Sequence, residues 1–374
     1  MRFLAFLALC CLSVLARAQT LPQAPTIAAK SWLLLDYATG QALASYNPDD
    51  RVEPASLTKL MTAYVVLGAL KEGRLKPDQA LPVSERAWKT PGSRMFIEPR
   101  KPVTVDELLR GMIVQSGNDA CIALAEAVAG SEEAFAQMMN REAQRLGLKA
   151  TRFANATGLP DPQHYSTALD LGALAAALIR DYPEHYPLYA LREYTYNRIT
   201  QANRNRLLWL DPAVDGVKTG HTENAGYCLV ASAKRGPRRL LSVVMGAASD
   251  GMRTQESQKL LNFGFQFFDS VKLYGKDQEV SRLRVWKGAQ NTVRAGFLED
   301  FTLSLPKGMA ENLKASLVSQ QPLLAPVLKG QRIATLKLSL DDRPYGEYPV
   351  VALETVPVAG MIGRAWDAMR LWFE

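Results

Sequence analysis

The stretch that most constrains this chain is Pro54–Lys59, which runs directly into the apolar residues Leu60–Leu67. It carries a hydroxyl on Ser56 and an amine on Lys59, three positions apart. Residues three apart on a helix are neighbours, so a helix that begins at Ser56 brings the amine to the hydroxyl. The pattern predicts a nucleophile beside a base. An ordinary serine helix cap followed by a solvated lysine is the alternative.

A helix start also favours nucleophilic chemistry at Ser56. The first backbone N–H groups of a helix are unpaired and lie at the positive end of the helix dipole, and both features stabilise a developing negative charge. The same spacing recurs at Ser304 and Lys307, where Pro306 lies between the two. Because proline disrupts a helix, the second pair is not expected to form the same arrangement.

The chain of 374 residues is long enough for a large core and is expected to form two domains. Its beginning is a separate segment, in which Arg2 is followed by the apolar run Phe3–Leu15 and the small-x-small tripeptide Ala16–Ala18. This pattern predicts a signal peptide over residues 1–18, with Gln19 as the first mature residue. The apolar run is too short to span a bilayer as a permanent anchor.

Charge and cysteine content exclude several classes of function. Loss of Arg2 and Arg17 with the signal peptide takes the formal net charge from +7 to +5, and no dense basic run predicts nucleic-acid binding. The mature chain keeps Cys121 and Cys228 in apolar segments of different predicted type, so we expect buried free thiols rather than a disulfide. Three histidines without paired Cys or His spacing predict no metal site, and no cofactor is expected.

The predicted elements run from a hairpin through helices to strands. Residues 31–46 predict a hairpin that turns at Ala38–Gly40, and the helix from Ser56 is expected to end near Gly73. Further helices are expected at 104–115, 119–129, 132–146, 168–180 and 254–270, and extended runs at 194–200, 216–219, 226–233 and 240–247. This order predicts an α/β domain over residues 19–274, in which one sheet carries a helical insertion.

After residue 274 the pattern changes to short alternating runs, at 279–285, 301–305, 331–338 and 345–353, separated by turn residues. They predict a small β-rich domain over residues 275–355. Residues 356–374 predict an amphipathic helix that lies in a membrane interface, with Trp366, Trp372 and Phe373 at the depth of the headgroups. A terminal helix docked on the β-rich domain is the alternative.

Three short motifs follow one another along the chain: Ser56-x-x-Lys59, Ser116-Gly117-Asn118 and Lys218-Thr219-Gly220. Each is a weak signal alone, and Ser45-Tyr46-Asn47 matches the second one from within the predicted hairpin. Their order along the chain and their predicted settings together predict a catalytic cleft. The three settings are, in turn, a helix start, a turn between two helices and an extended strand.

With their flanking residues, the motifs resemble those of low-molecular-mass penicillin-binding proteins, the serine-type D-alanyl-D-alanine carboxypeptidases of peptidase family S11. The resemblance rests on Pro-Ala-Ser-Leu-Thr-Lys at 54–59, Gln-Ser-Gly-Asn-Asp-Ala-Cys at 115–121, Val-Asp-Gly-Val-Lys-Thr-Gly-His-Thr at 214–222 and Lys-Leu-Leu-Asn-Phe-Gly-Phe at 259–265. It implies a β-lactamase/transpeptidase-like antiparallel sheet with flanking helices and an inserted helical subdomain, followed by the β-rich domain and the amphipathic helix.

The resemblance also implies a reaction. Ser56 attacks the carbonyl between two terminal D-alanines, an acyl-enzyme forms, and water regenerates the serine. Lys59 is the base, so burial and the nearby Lys218 must lower its pKa from the usual value of about 10.4. Ser116 relays a proton to the leaving group, and Asn118 binds the amide of the substrate and helps to hold Lys59.

Further roles follow from the same resemblance. Lys218, Thr219 and Gly220 line the cleft on a sheet edge, and the backbone N–H of His221 forms an oxyanion hole with that of Ser56. The His221 side chain is not expected to act as a base, because no Asp or Glu is obviously placed to orient it. Arg253, helped by the Thr219 hydroxyl, binds the terminal carboxylate, and a surface charge is its alternative.

The expected partners are peptidoglycan pentapeptide stems as substrate and β-lactam antibiotics as covalent inhibitors. We expect an exported, periplasmic protein attached peripherally to the outer face of the inner membrane through its C-terminal helix. A serine β-lactamase is the nearest rival, although the Glu-x-x-Leu-Asn element of class A enzymes does not occur between Asn118 and Lys218. Two more distant rivals are a D,D-endopeptidase and a wall-binding protein without activity.

Overall fold

The computed structural model describes residues 22–360. The predicted signal peptide and residues 361–374 of the predicted C-terminal helix lie outside the described residues. Among the helices within residues 22–360, none has the length and the hydropathy needed to cross a membrane.

The first part of the chain passes from a hairpin through helices to a set of long strands. Its elements are β1 (Ser31–Asp36), β2 (Ala42–Tyr46), α1 (Lys59–Lys71), β3 (Ala80–Leu81), α2 (Glu85–Lys89), β4 (Val103–Thr104), α3 (Val105–Arg110), α4 (Asn118–Ala129), α5 (Glu132–Arg145), α6 (Ala168–Asp181), β5 (Glu193–Tyr196), β6 (Ile199–Ala202), α7 (Leu207–Leu210), β7 (Val214–Thr222), β8 (Gly226–Arg235), β9 (Arg238–Ala247) and α8 (Asp250–Phe267).

The second part is made of strands. Its elements are β10 (Phe268–Tyr274), β11 (Glu279–Arg284), β12 (Thr292–Gly296), β13 (Phe301–Pro306), β14 (Leu313–Ser319), β15 (Arg332–Leu340) and β16 (Arg343–Ala352). Single turns of 3-10 helix occur at Ala55–Thr58, Tyr186–Ala190 and Ala310–Asn312, and a π-helical turn at Gly111–Gln115.

A five-stranded antiparallel sheet in the order β2-β1-β9-β8-β7 forms the centre of the first part. Helices α1 to α6 lie between β2 and β7 in the chain, so the predicted sheet with a helical insertion is confirmed. Leu33 and Leu35 of β1 pack with these helices, while Trp32 and Leu34 pack on the opposite face with α8. Because both faces are covered, the inner strands are apolar along almost their whole length. Strand β7 is left at the edge.

Helix α1 is the buried helix of the insertion. Every residue from Lys59 to Leu67 is buried, and α4, α5 and α6 pack around it. A helix that is apolar on all sides belongs in a core. The turn that carries Ser56 is therefore attached to a helix whose first nine residues are buried in the core.

Three predicted elements differ from the structure. The helix begins at Lys59 rather than Ser56, because Ala55–Thr58 forms a 3-10 turn. The run at 194–200 is two short strands joined at Asn197 and Arg198, which both have positive φ. The last helix of the domain begins at Asp250 and ends at Phe267, because the Ser249 hydroxyl caps its start and Phe268 begins a strand.

The β-rich part contains a five-stranded sheet in the order β11-β12-β16-β15-β14 and the pair β10-β13. Strands β12 and β14 were not among the predicted runs. Ser304 lies within β13, so the second Ser-x-x-Lys is extended, as its proline indicated. The start of the predicted C-terminal helix is wrong for residues 356–360: Val356 pairs with Val327, and Val358 pairs with Gly288, as β-bridges.

Cys121 on α4 and Cys228 on β8 are both free and buried. The prediction of buried free thiols is confirmed. Burial raises the pKa of each thiol to about 11, so both stay protonated at neutral pH.

Candidate active site

Ser56 lies in the 3-10 turn that leads into α1, and Lys59 is the first residue of that helix. The Lys59 Nζ is 3.1 Å from the Ser56 Oγ, so the expected contact between amine and hydroxyl is present. The turn is conformationally unusual, because Ala55 has a φ of +47°. A non-glycine residue in this region is uncommon and is held there by its surroundings.

The Lys59 amine has two further contacts. It donates to the side-chain Oδ1 of Asn118 at 2.7 Å and to the backbone oxygen of Thr157 at 2.6 Å. Both are oxygens that only accept, whereas the Ser56 hydroxyl can donate or accept. A neutral amine has two protons and one lone pair. With both protons on the two acceptors, the lone pair of neutral Lys59 is directed at the Ser56 hydroxyl.

The protonation of Lys59 is set mainly by burial. The residue is 1% exposed, and desolvation lowers the pKa of its amine below the usual value. Repulsion from Arg204 lowers this pKa further, against the attraction of Asp119. Lys218 is buried too, and both burial and the charge of Lys59 lower the pKa of its amine. The expected charge coupling between the two lysines is thus seen in the lowered pKa of Lys218, whereas Arg204 is the cation that lowers the pKa of Lys59.

Ser116 follows the π-helical turn and has a left-handed φ of +68°. Its side chain is buried, and within the described residues its Oγ has no hydrogen-bond partner. A buried hydroxyl without a partner is rare and marks a place where a ligand or water is accommodated. Gly117 permits the tight turn, since a Cβ there would lie 2.9 Å from the Asp119 Oδ1 and 3.1 Å from the Met95 nitrogen.

Asn118 begins α4 and connects the two sides of the cleft. Its Oδ1 accepts from Lys59, and its Nδ2 donates to the backbone oxygen of Pro91 at 2.7 Å. The neighbouring Asp119 is fully buried and accepts from the backbone N–H groups of Met95, Phe96 and Ile97. This carboxylate fixes the loop before α3 against the start of α4.

Strand β7 supplies the third wall. Lys218 is buried behind the cleft, and its Nζ donates to the backbone oxygen of Thr219 at 3.2 Å. Gly220 lies against the turn of Ser56, because a Cβ at this position would be 3.0 Å from the Pro54 oxygen and 3.3 Å from the Leu57 nitrogen. The absence of a side chain thus lets the edge strand approach the nucleophile.

His221 is exposed at the rim, and its ring lies 4.0 Å from that of Tyr227. Among the described residues no carboxylate pairs with the His221 ring. This agrees with the expectation that its side chain is not a base.

Arg253 lies in the first turn of α8 and is 4% exposed. Its Nη1 donates to the backbone oxygens of Gly220 at 3.0 Å and Cys228 at 3.4 Å, and its Nη2 donates to Asp250. The guanidinium therefore packs against the edge of the sheet at one end of the cleft. It is not a surface charge.

All nine predicted site residues lie together around one cleft. Its volume is about 610 Å³, and seven of the nine line it directly: Ser56, Ser116, Asn118, Thr219, Gly220, His221 and Arg253. Lys59 and Lys218 lie just behind this wall. Within the described part of the chain, no group of three or more His, Cys, Asp or Glu side chains is placed to hold a metal ion.

The structure adds residues that sequence reasoning missed. Arg204 lines the cleft and, within residues 22–360, makes no hydrogen bond or ion pair. Partial desolvation and repulsion from Arg253 lower the pKa of its guanidinium. Thr157 and Gly158 come from the loop between α5 and α6, in which the Asn155 side chain accepts from the Thr157 and Gly158 N–H groups. The turn composition of Asn155–Gly158 was the available signal for this loop.

His164 supports the turn of Ser56 from behind. Its Nε2 is 2.8 Å from the Thr58 Oγ1, and its Nδ1 accepts from the Ala154 N–H at 3.3 Å. Because Nδ1 accepts, Nε2 carries the proton and donates to the threonine. Burial lowers the His164 pKa to about 4, so the ring is neutral at physiological pH.

Comparison with known proteins relates this geometry to a family. The family profile described as D-alanyl-D-alanine carboxypeptidase, peptidase S11, matches residues 18–249. A second profile, described as the C-terminal domain of penicillin-binding protein 5, matches residues 268–358. The chain is 45% identical over 377 aligned residues to the D-alanyl-D-alanine carboxypeptidase DacC of Escherichia coli K12, an alignment that covers 99% of this chain and 94% of the relative.

Solved structures give the same relationship. The structure is similar to penicillin-binding protein 5 of Haemophilus influenzae, with a TM-score of 0.85, 42% sequence identity, and coverage of 90% of this chain and 99% of the other. Penicillin-binding protein D2 of Listeria monocytogenes, in its ampicillin-bound form, is similar with a TM-score of 0.61 and 30% identity. That likeness covers 65% of this chain and 100% of the other.

Proposed function

The chain belongs to the peptidase S11 family of D-alanyl-D-alanine carboxypeptidases, and on this premise we propose the role of each site residue in the reaction. It is a serine-type carboxypeptidase and a penicillin-binding protein that acts on the cell wall. The relatives do not favour a serine β-lactamase or a D,D-endopeptidase. The proposal concerns which side chains carry out each step.

Ser56 is the nucleophile and Lys59 is its base. Lys59 takes the hydroxyl proton as the Ser56 Oγ bonds to the carbonyl carbon between the two terminal D-alanines. Two features support this assignment: the 3.1 Å contact between amine and hydroxyl, and the two acceptors that occupy the protons of a neutral Lys59. The lowered pKa increases the fraction of Lys59 that is a neutral amine. This hydrogen-bond pattern around Lys59 is the observation that carries the proposal.

The backbone N–H groups of Ser56 and His221 stabilise the negative oxygen of the tetrahedral intermediate. The close packing of Gly220 on the turn of Ser56 supports this, since it brings the edge strand and the nucleophile together. Donors of this kind are worth about 3 kcal/mol each in acyl transfer. As the intermediate collapses, the C–N bond breaks, and the leaving D-alanine nitrogen takes a proton relayed through Ser116. The partnerless Ser116 hydroxyl supports that role.

The terminal carboxylate of the substrate binds at the arginine end of the cleft. Arg253 already donates to three protein oxygens, whereas Arg204 has its donors unused within the described residues. We assign direct contact with the carboxylate to Arg204 together with Arg253, and support from the Thr219 hydroxyl. An anion bound there also relieves the repulsion between the two guanidiniums. Asn118 binds the amide of the peptide on the opposite wall.

One experiment tests these assignments. The mature protein is incubated with a labelled penicillin and with a pentapeptide that ends in D-Ala-D-Ala. We expect covalent label on Ser56, release of free D-alanine from the peptide, and loss of both in Ser56→Ala. Label elsewhere, or a Ser56→Ala protein that still releases D-alanine, contradicts the assignment of the nucleophile. Rapid turnover of penicillin with no D-alanine release indicates a β-lactamase instead.

The location of the protein in the cell and the roles of its domains are also proposals. We propose an exported protein whose catalytic domain and β-rich domain meet at β10, and whose C-terminal segment attaches it to the outer face of the inner membrane. The amphipathic pattern of residues 361–374 supports the attachment. The substrate is the pentapeptide stem of peptidoglycan, and β-lactams acylate Ser56 as structural relatives of that peptide.

A further inference from the structure

A second groove continues from the active-site cleft. Its volume is about 750 Å³, and Arg206 lines both the cleft and the groove. The groove lies between α7 and one face of α8, from which Gln255 and Gln258 project three residues apart. Residues Trp209 and Leu210 of α7 form its other side. None of these four takes part in the reaction proposed above.

The lining is aromatic, aliphatic and amide in character. Trp209 is 46% exposed and Leu210 is 60% exposed, and because the two are adjacent on α7 they form a joined apolar surface within the groove. Within residues 22–360, the side-chain amides of Gln255 and Gln258 make no hydrogen bond. An exposed indole and side-chain amides that have no protein partner among the described residues suit a ligand with apolar faces and many hydroxyl and amide groups. N-acetylated sugars have this chemistry.

The charge of the groove also favours a neutral ligand. Arg206 is the charged residue of the lining, and its Nη1 already lies 3.5 Å from the Asp250 carboxylate. A peptide stem carries free carboxylates and calls for unpaired cations, which this lining does not offer. The groove also lies past the end of the peptide, since Arg206 and Asp250 separate it from the place where the terminal carboxylate binds.

We propose that this groove binds the glycan chain of a neighbouring peptidoglycan strand, a polymer of β-1,4-linked N-acetylated amino sugars. The inference rests on the proposed function, because the cleft then trims a stem of the same polymer. The groove holds the enzyme on the polymer and increases its activity on stems in the wall relative to free peptides.

Two groove variants test this in the full mature chain. They are Trp209→Ala and the double variant Gln255→Ala with Gln258→Ala. The substrates are a soluble pentapeptide and uncrosslinked glycan chains that carry pentapeptide stems. We expect kcat/KM on the polymer to fall about tenfold in each variant, the usual effect of removing an anchoring contact, while kcat/KM on the soluble peptide stays unchanged. Trp88→Ala is the matched control, because Trp88 is 39% exposed and lies outside both cavities.

A binding measurement makes the test independent of activity. Ser56→Ala protein is titrated with a neutral oligomer of β-1,4-linked N-acetylglucosamine, and intrinsic fluorescence is followed. We expect the dissociation constant to rise about tenfold when the two glutamines are replaced, and the Trp88→Ala change to leave it unaltered. Glycan affinity and polymer activity that do not respond to either groove variant overturn the inference.

The same experiments distinguish the remaining outcomes. Equal losses on the soluble peptide and the polymer overturn the inference, since the groove is then a peptide subsite. The rate of acylation by labelled penicillin identifies a variant that fails to fold. If Trp209→Ala fails to fold, the double glutamine variant still tests the groove, because it leaves Trp209 in place. If the unaltered protein binds glycan but releases no D-alanine, the proposed function fails while the groove assignment stands.

Discussion

Lys59 is surrounded by groups that suit a neutral amine. Two acceptor oxygens, from Asn118 and Thr157, lie within 2.7 Å of its Nζ, and burial together with Arg204 lowers its pKa. These contacts support the proposed role of Lys59 as the base for Ser56, without any histidine or carboxylate in between. The sequence pattern predicted the pair, but the directed lone pair depends on Thr157, a residue 98 positions away.

Replacement of Lys59 by arginine tests the need for a neutral base. Arginine keeps the positive charge and cannot lose a proton in a protein. We expect Lys59→Arg to slow acylation by labelled penicillin about 10³-fold or more, within the range that a positioned base contributes. The measurement is the rate constant of labelling at saturating penicillin. An acylation rate within tenfold of the unaltered protein would show that another group takes the proton.

The pH dependence of acylation reports the pKa of Lys59. In the proposed mechanism neutral Lys59 is the active form, so we expect the rate to be low at acid pH, to rise as pH increases through the lowered pKa, and to be constant above it. Arg204→Gln removes a repulsion that lowers this pKa. The pKa then rises, and we expect the ascending limb of the profile to move to higher pH.

The control for this shift is Arg74→Gln. Arg74 is exposed, pairs with Glu72 and lies outside the cleft, so it tests the loss of one positive charge at a distance. The midpoint of the pH profile for penicillin acylation is the readout, because Arg204 also affects substrate affinity. An equal midpoint in the unaltered protein and Arg204→Gln rules out the electrostatic coupling.

The turn of Ser56 is held in place by a loop between α5 and α6. Gly158 has a φ of +84°, and a Cβ at this position would lie 1.9 Å from the backbone oxygen of Ala55. The adjacent contact between His164 and Thr58 supports the same turn. Displacement of this loop therefore moves the nucleophile relative to the other walls of the cleft.

Gly158→Ala tests this coupling between elements. We expect about a 100-fold loss in penicillin acylation, since a displacement of about 1 Å at a reacting group has an effect of that size. Gly147→Ala is a matched control: Gly147 also has positive φ, at +74°, but a Cβ there would meet nothing within 4 Å. The control is expected to lose stability, about 1 kcal/mol, without loss of acylation.

A Gly158→Ala protein that acylates at the normal rate would falsify the coupling. A melting temperature recorded for both variants separates a displaced nucleophile from general unfolding. A fall in acylation that the Gly147→Ala protein shares in equal measure also contradicts it, because backbone strain alone then accounts for the effect.

Local signals in the sequence predicted much of the element order. The capping box at Thr104 and Glu107 is present, and the hydroxyl of Thr167 caps α6, because such caps depend only on near neighbours. Strands β12 and β14 were missed, since their sequences show weak alternation and their pairing is decided by β16 and β15.

The nine predicted site residues fall around one cleft because short motifs specify them, while other cleft residues are brought there by the fold. Arg204 lies in a polar stretch beside β6 with no motif to distinguish it from other arginines. Thr157 contributes a backbone oxygen, which carries no side-chain signature at all. The sequence can thus indicate which side chains react, but not which distant groups tune them.

At the scale of the whole molecule, the β1–β2 hairpin contacts the β-rich part beside the junction at β10. The Gln41 Oε1 accepts from the Ser304 N–H at 2.7 Å. Asp36, fully buried at the end of β1, accepts from Arg238 at 3.2 Å, and Arg238 also donates to the backbone oxygen of Phe268 at the start of β10. A buried and hydrogen-bonded carboxylate at this junction favours a fixed arrangement of the catalytic and β-rich parts.

The last described residues, 356–360, lead into the predicted membrane segment, and truncation tests the role of that segment. The stop belongs after Gly360, because Val356 is fully buried and pairs with Val327, and the Ala359 N–H donates to the Lys287 oxygen. We expect the truncated protein to leave the membrane fraction and to keep both penicillin labelling and D-alanine release from a soluble peptide.

Truncation after Leu353 is the informative contrast. It removes Val356 from the core of the β-rich part, and burial of such a side chain contributes about 1.5 to 3 kcal/mol. We expect this shorter protein to be destabilised as well as released, with a lower melting temperature than the protein that ends at Gly360. If the protein that ends at Gly360 still sediments with membranes, residues 361–374 are not the attachment, and the contact lies elsewhere on the chain.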